Sequence, residues 1–256
     1  MVEEAPDGAI GSVLRAFDIL ERMVEQETVS VTELADELDA PKSTVHAYLT
    51  TLDEAGFVVN EGSSYRLGLR FLEYGGAVRN RSKLYEVAKH EVDKLAAETG
   101  EVANFGIEEE GFRVLLYKSA EPDAIHDNAP VGEFTNMHWT ALGKAILAHL
   151  PDERVEEIVN ARGLPRANEY TITENSDLLE ELAEIRERGY SVEDQDRRQG
   201  VLTVGAPIFD RTSDEVVSSI SVSGPRNRLR ENTSVEELAE RVKSAANVVE
   251  LRYSHY

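Results

Sequence analysis

Ala40-Pro41-Lys42-Ser43-Thr44-Val45-His46-Ala47-Tyr48-Leu49-Thr50-Thr51-Leu52-Asp53-Glu54-Ala55-Gly56 decides the reading of this 256-residue chain. Pro41 closes the segment before it and Gly56 closes the segment itself. Between them Val45, Leu49 and Leu52 recur at four and three, the spacing of a single helix face. A helix over Lys42 to Ala55 therefore turns that stripe inward and leaves Lys42, Ser43, Thr44, His46, Ala47, Thr50 and Thr51 outside. Upstream, Ser12 is placed to cap a helix carrying Val13, Phe17, Leu20 and Val24. Ser30 with Glu33 three residues on has the form of a capping box for a short helix edged by Leu34 and Leu38. Downstream, Phe57-Val58-Val59 and Tyr65-Arg66-Leu67 are two short strands around the turn Glu61-Gly62-Ser63-Ser64. Three helices followed by a hairpin is the order of a winged helix-turn-helix.

On that fold the outer face of the third helix meets DNA. Hydroxyls at a helix start reach phosphates, and His46, Ala47 and Thr50 sit where base edges lie in a major groove. Arg66 alternates with Tyr65 and Leu67 and so points out from the wing. Candidate DNA contacts are thus Lys42, Ser43, Thr44, His46, Ala47, Thr50 and Arg66, on double-stranded operator DNA. A polar face left to solvent, or a winged helix that binds protein, has the same pattern.

Charge argues against this reading at first. The formal net charge is −22, from 27 basic and 49 acidic residues. Residues 1–75 hold five basic and fifteen acidic side chains, a net of −10. Phosphate binding ordinarily draws on Lys and Arg. The third helix, however, is free of acid until Asp53. The acid is spread along the whole chain with few lysines, which suits solubility in very high salt and points to a halophilic source. The chain has no cysteine, which excludes disulfides, thiolate metal sites and cysteine nucleophiles. No apolar run approaches the ~20 residues of a membrane span. The acidic tail, 1–9, lacks the apolar core of a signal peptide, and a cytoplasmic location is expected.

Four blocks in order resemble the IclR family of regulators. Ala40 to His46 with Leu49, Leu52, Gly56-Phe57 and Tyr65-Arg66-Leu67-Gly68 is similar to its DNA-binding domain. His138-Trp139-Thr140-Ala141-Leu142-Gly143-Lys144-Ala145 resembles the first block of its second domain. Gly189-Tyr190, Gly200-Val201, Ala206-Pro207-Ile208 and Asp210 resemble the next, and Ser221 to Pro225 the last. The resemblance covers nearly all of the chain after Ile10. It implies a ligand-responsive transcriptional regulator, repressor or activator, acting as a homodimer or dimer of dimers on a pseudo-palindromic operator. No enzymatic activity, cofactor or metal is expected. It also implies an α+β fold: a winged helix-turn-helix over 10–72, a helical linker over 73–84, and a GAF-like effector domain with a mostly antiparallel sheet over 85–256. The linker pattern is helical but interrupted by Gly75-Gly76.

The second domain reads as a helix from Leu84 to Thr99, then strands at Val102–Ile107, Phe112–Ser119 and Ile125–Asn128. Helices at Thr140–Leu150, Asp152–Ala161 and Asp177–Arg188 follow. Strands at Tyr190–Glu193, Leu202–Phe209 and Val216–Val222 precede a last helix with Val235, Leu238, Val242, Ala246 and Val249. Thr140 is a good N-cap, which would leave the amides of Ala141 and Leu142 free to hold an anion. The resemblance brings Glu193, Thr203, Ser221 and Ser223 to the opposite side of an effector pocket for a small carboxylate or aromatic acid. Thr203 stands where many members carry cysteine, and Gln195-Asp196 where many carry two glutamates. Met137 and Phe134 are candidates for an apolar wall, with Trp139 beside the site. Arg197-Arg198 reads as a solvated loop, and Arg226, Arg228 and Arg230 as surface salt-bridge partners. Glu193, Asp196, His138 and Ser221 could in principle form an acid/base set for an enzyme acting on a small acid, but nothing in their spacing demands it.

Overall fold

A computed structural model describes residues 8–122, 124 and 129–255. The expected strand Ile125–Asn128 and most of the acidic tail lie outside the described residues. The chain forms two compact units divided between Val78 and Arg79.

In the first unit, α1 (Gly11–Glu25), α2 (Val31–Glu37) and α3 (Lys42–Glu54) precede the hairpin of β1 (Val58–Asn60) and β2 (Tyr65–Leu67). The capping box on α2 is complete: Glu33 N–H donates to Ser30 Oγ at 3.2 Å and Ser30 N–H to the Glu33 carboxylate at 2.7 Å. Asp39, at φ +46°, makes the left-handed step that turns the chain from α2 into α3. Val45 and Leu49 are buried with Ile19, Met23, Leu34, Val58 and Tyr65, and Leu52 packs against them half-buried. Two expectations for α1 fail. Ile10, not Ser12, is at the N-cap, and no side chain caps it. The core side carries Ile19 and Met23, whereas Val13, Phe17 and Val24 are 47%, 58% and 72% exposed. This helix is apolar on two faces, so its period identifies a helix without saying which face turns inward. The next helix, α4 (Arg70–Asn80), runs unbroken through Gly75-Gly76. Phe71 and Tyr74 stack on Phe57 from that helix, at centroid distances of 4.9 and 5.3 Å.

The second unit is built on a six-stranded antiparallel sheet. Its strands are β3 (Val102–Glu109), β4 (Phe112–Ser119), β5 (Phe134–Asn136), β6 (Ser191–Asp194), β7 (Val201–Asp210) and β8 (Glu215–Pro225), in the order β5-β4-β3-β8-β7-β6. Alternation decides what each face carries. Phe105, Val204, Ala206, Ile208, Ile220 and Val222 turn toward α5 (Lys83–Thr99) and α10 (Val235–Tyr253), which supply Val92, Leu95, Leu238, Val242 and Val249 to one apolar core. Burying each such side chain contributes roughly 1.5–3 kcal/mol. The residues between them, Asn104, Gly106, Thr203, Gly205, Ser219, Ser221 and Ser223, are small and polar and face the other way. There α6 (Ala141–Leu147) lies across β7 and β8, entirely buried. Its approach needs Gly205: a Cβ there would lie 3.1 Å from Ala141 backbone atoms. Behind α6, Ile146 and Leu147 join Met137, Val155, Ile158, Leu178, Leu182 and Ile185, drawn from α7 (Asp152–Arg162), α8 (Asn175–Arg188) and a 3-10 turn at Met137–Trp139. Strand β5 and the short helix α9 (Arg226–Asn232) were not expected from the pattern; each is too short to show a period.

Candidate functional site

In the first unit, the outer face of α3 is exposed at Lys42, Ser43, Thr44, His46, Ala47 and Thr50. The helix divides this face in two. Ser43, Thr44 and Ala47 border an apolar groove with Val13, Phe17 and Leu20 of α1, Phe57, and Phe71 and Tyr74 of α4. Lys42, His46 and Thr50, four apart, lie outside that groove. The Thr50 hydroxyl donates to His46 O at 2.8 Å and lies 3.4 Å from His46 Nδ1. Its proton is thus engaged, and toward a base edge it offers an acceptor, suited to the amino groups of cytosine or adenine. Arg66 is half-exposed and its Nε is held by Glu61 at 2.7 Å. A phosphate reaching the wing must therefore compete with that carboxylate.

In the second unit, one cavity gathers Thr140, Ala141, Leu142, Glu193, Thr203, Ser221 and Ser223, all seven of the residues expected at an effector pocket, together with Asn104, Arg113, Leu115, Ala129, Arg197, Arg198 and Val201. Its cavity volume is about 40 Å³, and it opens to solvent at its mouth. Thr140 caps α6, accepting from Gly143 N–H at 3.0 Å. The amide of Ala141 is not free as expected: it donates to Glu193 Oε2 at 3.4 Å. Burial pushes the Glu193 carboxyl up to about 7, with Asp196 adding to the rise and Lys144, the Ala141 amide and Arg197 opposing it. Asn104 and Thr203 both hydrogen-bond the Ser223 hydroxyl, at 3.0 and 3.2 Å.

The loop after β6 is tied down from behind α6. Lys144, 2% exposed, sets its Nζ 2.6 Å from Asp196 Oδ2 and 3.6 Å from Glu181. Thr171 Oγ1 donates to Asp196 O and Asn168 Nδ2 to Gln195 O. His138 does not join Glu193 and Ser221. Its Nε2 lies 3.1 Å from Pro165 O, and burial lowers its pKa, against that carbonyl. Trp139 Nε1 donates to the same carbonyl, so this indole is a packing residue of the loop. Met137 belongs to the core behind α6 and Phe134 is 54% exposed against Phe112, so neither walls the cavity. Arg226 and Arg230 both pair with Asp194, and Arg228 with Glu101. Among the described residues no cluster of His, Asp or Glu is suited to a metal, and no helix is long and apolar enough to cross a membrane.

The sequence pattern does not single out Arg113. It is 2% exposed in β4, between Phe112 and Val114-Leu115. A charge flanked by Phe112 and Val114-Leu115-Leu116 is the available signal, since burying one is costly without a task or a partner. Arg197 departs from the solvated loop expected for it. Its side chain is 14% exposed and reaches Glu133 at 2.6 Å instead of lying in solvent.

Residues 12–62 match the IclR helix-turn-helix domain and residues 76–251 match the bacterial transcriptional regulator IclR C-terminal domain. The chain belongs to the IclR family. It is 33% identical to a probable HTH-type transcriptional regulator, ArcR, of Halobacterium salinarum, over 95% of this chain and 94% of that protein. It is 31% identical to the transcriptional repressor IclR of Escherichia coli, over 96% and 91%. The crystal structure of Thermotoga maritima IclR superposes with a TM-score of 0.79 at 28% identity, covering 96% of this chain and 100% of that one. An IclR homologue of Microbacterium hydrocarbonoxydans crystallised with 4-hydroxybenzoate gives 0.79 at 22% identity, covering 95% and 99%. The family is one of DNA-binding transcriptional regulators, and the enzymatic and protein-docking alternatives yield to that. Helix α3 of this IclR-family chain lies within the matched helix-turn-helix domain.

Proposed function

We propose that this regulator senses a small carboxylate or aromatic acid in the cavity between α6 and the sheet, and that occupancy changes its grip on a pseudo-palindromic operator. The observation that carries the reading is the convergence of Thr140, Ala141, Leu142, Glu193, Thr203, Ser221 and Ser223 on one cavity. The acid bound by the Microbacterium relative adds an aromatic member to the class worth testing. Operator contacts fall to Lys42, Ser43, Thr44, His46, Ala47, Thr50 and Arg66. The signal passes through the linker around α4 as a bias between arrangements of two DNA-binding units. A homodimer or dimer of dimers is supported by the exposed apolar side chains Val13, Phe17 and Val24 on α1 and Leu72, Tyr74 and Val78 on α4, which a monomer would leave wet. A net charge of −22 supports a cytoplasmic protein at work in molar salt. Counterion release contributes little there, and hydrogen bonds from Thr and His carry more of the operator affinity.

The test begins with genomic DNA fragments selected on the full chain in 2 M KCl, where exposed charges are screened within a few ångströms. Operator affinity is then measured with acetate, lactate, benzoate or 4-hydroxybenzoate present. At least one acid is expected to change it by roughly 5- to 150-fold, the usual span of allosteric coupling. No change with any of them would count against carboxylate sensing.

A further inference from the structure

The sheet face toward α6 holds a buried charge that its neighbours do not fully serve. Arg113 donates from Nη2 to Glu133 Oε2 at 3.0 Å. Its Nε and Nη1 are buried and have no acceptor in the protein. A guanidinium carries five N–H donors, and the one on Nε and the two on Nη1 are thus unserved. The Ser221 hydroxyl, on a residue 1% exposed, is also buried without a partner. Both residues line the cavity described above. Among native buried polar groups such atoms are rare, and each asks for an explanation.

The surroundings do not neutralise Arg113. Glu133 is divided: Oε2 serves Arg113 and the Thr135 hydroxyl, and Oε1 serves Arg197 at 2.6 Å. Burial works to raise the Glu133 pKa, but Arg197 and Arg113 outweigh it and hold the group ionised. Glu193 is the acid on the cavity wall; it accepts from the Ala141 amide and makes no hydrogen bond to Arg113, acting on it only through space. Burial lowers the Arg113 pKa, with Glu133 opposing, yet guanidinium remains charged in a protein. The stem of Arg113 is admitted by Gly106 on the neighbouring strand, where a Cβ would stand 3.2 Å from Arg113 Cδ. A full positive charge is thus held in a slot on the cavity wall with donors to spare.

We propose that Arg113 is the charge partner of the effector: it donates to a carboxylate of the bound acid from an unserved N–H, on Nη1 or Nε, and the Ser221 hydroxyl donates a further hydrogen bond to the same ligand. This rests on the cavity being the sensor site and says what that site selects, an anion over its neutral analogue. Arginine suits the task because its charge is not lost on burial.

The test is binding to the full chain in 2 M KCl, by calorimetry, of acetate, lactate and benzoate against acetamide, lactamide and benzamide. At least one acid is expected to bind wild type, and its amide to bind at least ~30-fold more weakly, the weight of a charge-assisted hydrogen bond. Arg113→Gln should weaken the acid by a similar factor, and Arg113→Lys should restore part of the loss. Ser221→Ala removes a hydroxyl that bonds nothing in the protein, so it should leave the unfolding midpoint unchanged and weaken the acid several-fold. This variant keeps the test alive should Arg113→Gln fold poorly. Equal binding of acid and amide, undiminished binding by Arg113→Gln, or undiminished binding by Ser221→Ala would overturn the assignment while leaving a sensor cavity in place. If no acid binds wild type, the assignment and the carboxylate-sensing reading fall together.

Discussion

Gly143→Ala should destabilise the second unit by about 3 kcal/mol or more, at or beyond the upper end for overpacked cores. Gly143 sits in the first turn of α6, where its amide donates to Thr140 Oγ1. A Cβ there would meet Met137 O at 2.1 Å and Met137 Cα at 2.6 Å. These are backbone atoms of the 3-10 turn, not a flexible side chain that can swing away. Either the turn or α6 must shift, and every residue of α6 is buried. Moving α6 also moves Thr140, Ala141 and Leu142, so acid binding should be lost along with stability. Trp139, the single tryptophan, lies in that turn and reports on this unit alone. Urea unfolding followed by its fluorescence is therefore the measurement. A midpoint equal to wild type would mean that the close approach of α6 to the turn is wrong.

Lys144→Met should cost roughly 3–5 kcal/mol by the same assay, the range for removing one partner of a buried pair. Lys144 and Asp196 are 2% and 8% exposed, and their 2.6 Å contact ties α6 to the loop after β6. Methionine fills the space of the lysine stem but leaves the carboxylate facing Glu181 with no cation between them. A second change, Asp196→Asn, removes the stranded charge and keeps an oxygen for the Asp194 amide, which now donates to Asp196 Oδ1 at 3.2 Å. The double variant should thus recover most of the loss. The loss should also be similar at low and molar KCl, because buried pairs are screened far less than surface ones. A loss under about 1 kcal/mol, in the range of exposed pairs, would show that water reaches this pair.

What could be read in advance depended on whether a residue acts within its own element. The α3 stripe, the Ser30–Glu33 box and the Thr140 cap are local, and the structure has each of them. The alternation through Leu202–Ile208 and Ser218–Ser223 is local too, and it brings Ser221 and Ser223 to one face. Failures came where a distant partner decides. Phe17 and Ile19 are equally apolar, and only packing in the shared core of the first unit selects Ile19. Gly75-Gly76 reads as a helix breaker at about 1 kcal/mol per glycine, yet the helix runs through both. The Ala141 amide looked free because Glu193, which accepts from it, is 52 residues away. Arg113 belongs to the same class: its meaning depends on Glu133, Gly106 and Ser221, none adjacent in sequence.

The central claim is that α3 reads DNA, chiefly through His46 and Thr50 on its groove-free edge. The most direct test is His46→Ala with Thr50→Ala, measured on the selected operator by fluorescence anisotropy in 2 M KCl, a concentration at which phosphate electrostatics are largely screened. Both side chains are exposed, and the hydrogen bonds they make lie within their own helix turn. The unfolding midpoint and oligomeric state should therefore stay at wild-type values. Two lost base contacts at roughly 1–3 kcal/mol each predict at least ~30-fold weaker operator binding. Unchanged operator affinity in a folded double variant would contradict the assignment of this helix.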